Sequence, residues 1–436
     1  MTYRWFIWRR WLLNTLIGGF LIAYYTWPTV SLAAPQEALP KTVTIGELLS
    51  IVRDKSPRYA AMRQRLERSR ADVVAAGVLP NPRVSYGRYD LISRNNTMYE
   101  GNVQQEVTLE VPLLIAGQRG ARVAAAEKQV EATEAGIESE FADLIQQVWR
   151  LFLEMLVEQR RISVLEQSNA DMQHLSAVVE GRAQAGTASQ YDVLRATIET
   201  KGLQSRLETV RNDLASTVGE LGAMLGLPDW KPIPTGDLSP LGIPADAKKL
   251  WKEAEQANPD LESARRNELA ADANLERARR ERWPVPSVLV GSAFTDKPYG
   301  NTTFAGFSVE LPLFDRGQGG MAKAAAEKQS AILDRQYATA RTRGALERAV
   351  DQLKLRRESR VQFEQSVMAK LPALKAMGEA SYRLGKGTLL ELLDASRSRT
   401  DTQLTYVELV QAETEAELDV LRTSGLLLKT IDVKAP

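Results

Sequence analysis

Glu391 and Asp394 lie three positions apart, a spacing that sets both carboxylates on one face of a helix, where they could attract cations. Helix capping competes for the first of them, because Thr388-x-x-Glu391 is a capping box, and Ser189-x-x-Asp192 resembles another. Asp394 lies beyond the third helical position and is less readily explained by capping. Gly117-x-x-Gly120 and Gly317-x-Gly319-Gly320 could cradle phosphate at a helix N-terminus. No Lys-Ser/Thr accompanies either motif, and a sharp turn into a helix accounts for both. The chain has 436 residues, one His (His174) and no Cys. A His-rich metal site, disulfides, thiolate ligands and a thioether-linked lipid are therefore out of reach. With 56 Lys+Arg against 55 Asp+Glu there is no electrostatic case for nucleic acid. Neither an enzyme nor a cofactor is expected.

The elements that carry these residues begin with a targeting segment. Arg4, Arg9 and Arg10 precede an uncharged stretch, 11–36, whose apolar core runs from Trp11 to Trp27. Pro28 and the small residues Ser31-Leu32-Ala33 complete the pattern of a secretory signal, 1–33, cut after Ala33. An uncleaved anchor is the alternative reading, since 17 apolar residues approach bilayer length. Export places the mature chain in the periplasm or outer membrane of a Gram-negative cell.

The remainder is written twice. TLEVPLLIAGQRGARVAAAEKQ (108–129) and SVELPLFDRGQGGMAKAAAEKQ (308–329) share 12 of 22 positions at an offset of 200. Ser56-Pro57 matches Asn258-Pro259, Leu79–Pro82 matches Trp283–Pro286, and Gly186–Ala196 matches Gly385–Ala395. This period is too long for a solenoid, so the chain is a tandem duplication. The first repeat is 34–225 and the second 246–427. Pro228, Pro232, Pro234, Pro240 and Pro244 mark a linker at 226–245, and 428–436 is a tail.

Each repeat reads as helix, two strands, long helix and return helix. Strands are expected at 83–91, 103–111, 287–295 and 303–311; in 103–111, Val103, Val107, Leu109 and Val111 alternate with polar residues, which predicts a sheet apolar on one side. The strand pairs are joined by loops holding Asn95-Asn96 and Pro298–Asn301. Gln118–Ala185 is Pro-free for 68 residues, and the 67 of Gln318–Leu384 are interrupted only by Pro372. Helices of that length reach about 100 Å. Return helices are expected at 189–225 and 388–425.

Strands of this length fit a tilted outer-membrane crossing, but four cannot close a barrel and open edges are not tolerated in lipid. The chain must therefore oligomerise; two or three copies both satisfy the arithmetic. A soluble helical bundle capped by hairpins, and a periplasmic coiled-coil adaptor or spacer, are the competing readings. An adaptor would show one hairpin flanked by small β-domains, not a duplication.

The duplicated E-x-P-L…G-Q-x-G with A-A-A-E-K-Q, the Leu-Pro-Asn-Pro at 79–82 and GKGTLLELLDA at 385–395 resemble the TolC-like outer-membrane efflux family over about 44–427. The resemblance implies a mainly α fold with a membrane β-barrel: a homotrimer with a twelve-stranded barrel and a twelve-helix periplasmic tunnel. Leu79–Pro82 and Gly117-Gln118 look most similar to the branch serving heavy-metal exporters, which works with a periplasmic adaptor and a resistance-nodulation-division pump. On this basis Gly186, Thr187, Gly385 and Lys386 are expected to dock the adaptor, and Asp192 and Tyr382 to form a closed-state lock. Three copies of Glu391 and Asp394 are expected to form an acidic ring at the entrance. The family often has Arg where this chain has Gly387; Arg383 or Lys386 would have to substitute.

Overall fold

The computed structural model describes residues 39–90, 92, 103–297 and 300–430. The expected signal at 1–33, Asn95-Asn96, Pro298-Tyr299 and the tail beyond 430 lie outside them. No described helix is long and apolar enough to cross a membrane.

The first repeat opens with a short strand, β1 (Thr42–Val43), and helix α1 (Ile45–Lys55), whose N-terminus is closed by the reciprocal Thr44–Glu47 capping box. Pro57 starts α2 (Pro57–Gly77), where its missing N–H costs nothing. Strands β2 (Arg83–Asp90) and β3 (Val103–Pro112) follow, then α3 (Gln118–Gln184) and the return helix α4 (Gln190–Leu225). Strand β4 (Ile233–Pro234) pairs parallel with β1. The second repeat gives α5 (Ala247–Ala257), α6 (Pro259–Glu281), β5 (Ser287–Thr295), β6 (Gly300–Ser308), α7 (Gln318–Ser366), α8 (Leu371–Arg383), α9 (Leu389–Ser424) and a last turn, α10 (Leu427–Thr430).

The two hairpins join edge to edge in an antiparallel sheet of order β2-β3-β5-β6, with β2 and β6 as open edges. Its register stacks Val84, Leu109, Val290 and Ala305 across all four strands. That stripe faces out: Val84 is 70% exposed, Tyr86 62% and Val290 52%. On the opposite face Glu106, Thr108 and Glu110 are half-buried, with Thr108 Oγ1 donating to Glu106 at 3.0 Å. Apolar side out and polar side in is the inverse of a water-soluble sheet.

Two elements differ from expectation. Strand β6 runs 300–308, not 303–311, because its antiparallel partner β5 begins at Ser287, opposite Ser308. The residue before Ser287, Pro286, has no N–H, and its carbonyl already accepts from Leu113 at 2.7 Å. The second long helix breaks before Pro372: α7 stops at Ser366, a 3₁₀ turn spans Met368–Lys370, and α8 starts at Leu371. A proline removes a donor and crowds the carbonyl four residues back, here Met368, so the disturbance lies N-terminal to Pro372.

The helical core is a series of seams. Phe141 of α3 meets Tyr59 of α2 with ring centroids 4.8 Å apart. Val164 and Leu165 of α3 meet Leu207 of α4 and Leu404 of α9, and Leu346, Val350 and Leu353 of α7 meet Leu250 of α5 and Val420 of α9. Between the repeats, the chain after β4 crosses the bundle as a strap. Glu417 of α9, fully buried, accepts from the amides of Leu241, Gly242 (2.8 Å) and Ile243 (3.1 Å). Arg357 of α7 donates to Glu417 (2.8 Å), to Glu413 (2.8 Å) and to the Ile243 carbonyl (3.0 Å), while Arg360 closes on Glu413.

Candidate functional site

The duplicated Gly-Gln motifs are turns out of the sheet. Gly117 and Gly317 take left-handed φ values of 75° and 71° at the N-caps of α3 and α7. The adjoining glutamines fold back over the turn: Gln118 Oε1 accepts from Ala116 N at 2.9 Å, and Gln318 Oε1 from Arg316 N at 2.7 Å. The same bond in both copies accounts for the duplicated Gln by turn geometry.

At the far end, about 100 Å along α3, are the hairpin turns. Gly186 and Gly385 have φ values of 74° and 68°, and a Cβ on either would meet nothing within 4 Å. Thr187 closes its turn with N–H and Oγ1 donating to the Arg182 carbonyl at 2.8 and 3.0 Å. Lys386 N donates to Ser381 O at 3.0 Å, leaving its side chain exposed. At Gly387 a Cβ would lie 2.7 Å from Ser381 Oγ, so any side chain there requires the Ser381 hydroxyl to turn aside. Tyr191 (65% exposed), Leu194 (60%), Leu384 (68%) and Leu390 (53%) surround these turns.

Asp192 and Tyr382 are not joined to each other in the protomer. Asp192 completes the capping box of α4: its Oδ2 accepts from Ser189 N (3.0 Å) and Oγ (2.8 Å), which hold its carboxyl below the usual range. Tyr382 packs beside Leu389 and Leu393 and carries the Arg182 guanidinium over its ring, 4.9 Å from the centroid. Glu391 also caps, accepting from Thr388 N at 3.0 Å. Asp394 is exposed on the same helix, near Arg397, whose guanidinium is engaged by Glu199 at 2.6–2.9 Å.

The tie that sequence reasoning missed is Asp171. Its Oδ2 accepts from Lys375 Nζ of α8 at 2.9 Å and from Arg399 of α9. Burial alone would raise this carboxyl, but the hydrogen bonds from Lys375 and Arg399 outweigh it and its pKa lies below the ordinary value. Around it, α3, α8 and α9 enclose a groove of about 470 Å³ that includes His174, Glu379 and Arg383. Among the described residues no cluster of three or more His, Asp or Glu side chains could hold a metal ion, so His174 has no such partners.

Residues 48–227 match the family model described as outer membrane efflux protein. The cobalt-zinc-cadmium resistance protein CzcC of Cupriavidus metallidurans is 26% identical over 400 residues, covering 90% of this chain and 92% of its own. The pyoverdine export outer membrane protein OpmQ of Pseudomonas putida is 26% identical over 411 residues, covering 87% and 85%. In fold, the chain superposes on the CmeC outer membrane channel of Campylobacter jejuni with a TM-score of 0.72 at 13% identity, covering 91% and 90%.

Proposed function

From the match of residues 48–227 to the outer membrane efflux protein family and the similarity to CzcC, we propose that this chain is the passive outer-membrane duct of a tripartite efflux system. One observation carries the reading: a four-stranded sheet, apolar outside and polar inside, continues directly into helices about 100 Å long. Three copies supply twelve strands, pair the open edges of β2 and β6, and extend the pore into the periplasm as a helical tunnel. A periplasmic adaptor docks at the Gly186 and Gly385 turns, against Tyr191, Leu194, Leu384 and Leu390. The inner-membrane pump, of the resistance-nodulation-division type, selects the cargo. Divalent metal cations are the cargo class favoured by the similarity to a cobalt-zinc-cadmium resistance protein.

Deleting the gene should abolish resistance to cobalt, zinc or cadmium. Sensitivity confined to detergents and dyes would overturn the metal assignment. In the deletion strain, Gly186→Asn and Gly385→Asn should restore export, because Asn tolerates left-handed φ. Gly186→Trp and Gly385→Trp should not, while their trimers still reach the outer membrane. Normal export by both Trp variants would reject docking at these turns.

The entrance ring rests mainly on Asp394, since Glu391 is committed to its cap. In planar bilayers Asp394→Asn should lower cation selectivity and weaken blockade by a trivalent cation from the periplasmic side. A loss of roughly tenfold corresponds to ~1–2 kcal/mol of attraction across a partly screened pore. If Glu391→Gln and Asp394→Asn together leave both properties unchanged, these carboxylates do not line the pore.

A further inference from the structure

Glu158 sits within α3, about 40 Å from the tip turn by helical rise, and is 5% exposed. Its Oε2 is buried and accepts no hydrogen bond. A buried carboxylate without donors is costly, and the ordinary remedies are an ion pair or a proton. The ion pair is missing. Arg161, one turn along α3, instead approaches Glu408 of α9 at 3.7 Å. The other charges that act on Glu158 are acids: Asp213 from α4 and Glu154 from its own helix. Glu154 in turn faces Glu220 of α4 and Glu415 of α9. From β4, the adjacent contact is neutral, Gln159 donating to the Pro234 carbonyl at 3.2 Å.

We propose that Glu158 is a proton-binding site in the seam between α3 and α4, and that its ionisation loosens α4 from α3. With the proton bound, Glu158 is a neutral acid that can donate a hydrogen bond, and the seam holds one fewer negative charge. With the proton lost, Glu158, Glu154 and Asp213 face one another as carboxylates, with Arg161 alone to offset them. Burial, then Asp213, push the Glu158 carboxyl up to about 7, against 4.5 for the ordinary group. The folded-state value is the raised one, so the stabilisation is complete below about pH 4.5, is lost as pH rises, and is gone above about pH 7. The seam thus responds within the range in which the periplasm equilibrates with the medium. Because α4 starts directly after the Gly186 turn, the packing of the outer hairpin and the motion of its tip become pH-linked.

Hydrogen exchange of the full-length trimer in detergent, corrected for the intrinsic effect of pH, tests this. Between pH 5.5 and 8.5, amides of α4 around Asp213 should lose protection by on the order of tenfold or more. The ceiling within this window is about 30-fold, because the opening equilibrium changes tenfold for every pH unit between pH 5.5 and the raised carboxyl value of about 7. Glu158→Gln, neutral at every pH, should remove the dependence and stay protected throughout; Asp213→Asn should move the midpoint to lower pH. Glu158→Ala serves as a packing control and should be equally loose at both extremes. Protection in the wild type that is independent of pH, or an unchanged dependence in Glu158→Gln, overturns the proposal. So does recovery of protection at pH 8.5 on adding Mg²⁺ or Zn²⁺, which would make the occupant a metal cation.

Discussion

Replacing Glu417 by Ala should cost about 3–5 kcal/mol, the largest stability loss expected of any single side chain described above. The carboxylate is fully buried and accepts from three consecutive strap amides and from Arg357. Its removal strands the Arg357 guanidinium beside Glu413 and leaves Leu241, Gly242 and Ile243 N–H groups without acceptors, each a desolvation penalty of its own. Glu417→Gln preserves the shape and one acceptor, so it should lose less. The strap should open before the helices do. Limited proteolysis of the assembled protein should therefore cut near 240–244 on the order of a hundredfold faster in Glu417→Ala, alongside a lower thermal midpoint by circular dichroism. Indistinguishable cleavage and melting would show that the strap is held by something other than this carboxylate.

This clamp illustrates what a sequence conceals. The duplication, the half-apolar strands and the helix ends are legible because each is local. Gly117 marks a turn, and Ser189–Asp192 and Thr388–Glu391 act over a few residues, with the hydrogen bonds that the capping-box spacing predicts. Glu417 gives no such signal. It is one of many acids on a long helix, and its partners lie 60 and 174–176 positions away. Asp171 is similar, with partners 204 and 228 residues distant on α8 and α9. The Asp192–Tyr382 pairing comes from a family likeness, whereas the protomer spends Asp192 on its own helix and gives the Tyr382 ring to Arg182. The departures at β6 and at 366–372 share a cause: a proline's lost donor and steric clash fall on its neighbours, not on its own position.

Asp171 and Tyr382 together should control the closed entrance, and the nature of the Tyr382 contact makes this testable. Helix α8, isolated by the break at 366–370, is fastened to α3 by two ties: Lys375 to Asp171, and the Tyr382 ring beneath Arg182. Asp171 also holds Arg399 of α9, so one carboxylate links both helices of the second hairpin to α3. The Lys375 and Asp171 side chains are 37% and 25% exposed, so their pair is discounted to about 1–2 kcal/mol, and the cation–π contact adds ~0.5–1 kcal/mol. Losing both should favour an open entrance by on the order of tenfold to a hundredfold in population. In planar bilayers, Asp171→Asn and Tyr382→Ala should each raise the open fraction, and the double variant should raise it most. Tyr382→Phe discriminates between the two accounts of the tie. It keeps the ring face that Arg182 covers and removes only the hydroxyl, so it should conduct as the wild type does. If Tyr382→Phe opens the channel as far as Tyr382→Ala, the hydroxyl is the tie and its partner lies on a neighbouring protomer. If the Asp171→Asn, Tyr382→Ala double variant stays closed, α8 is not what seals the entrance.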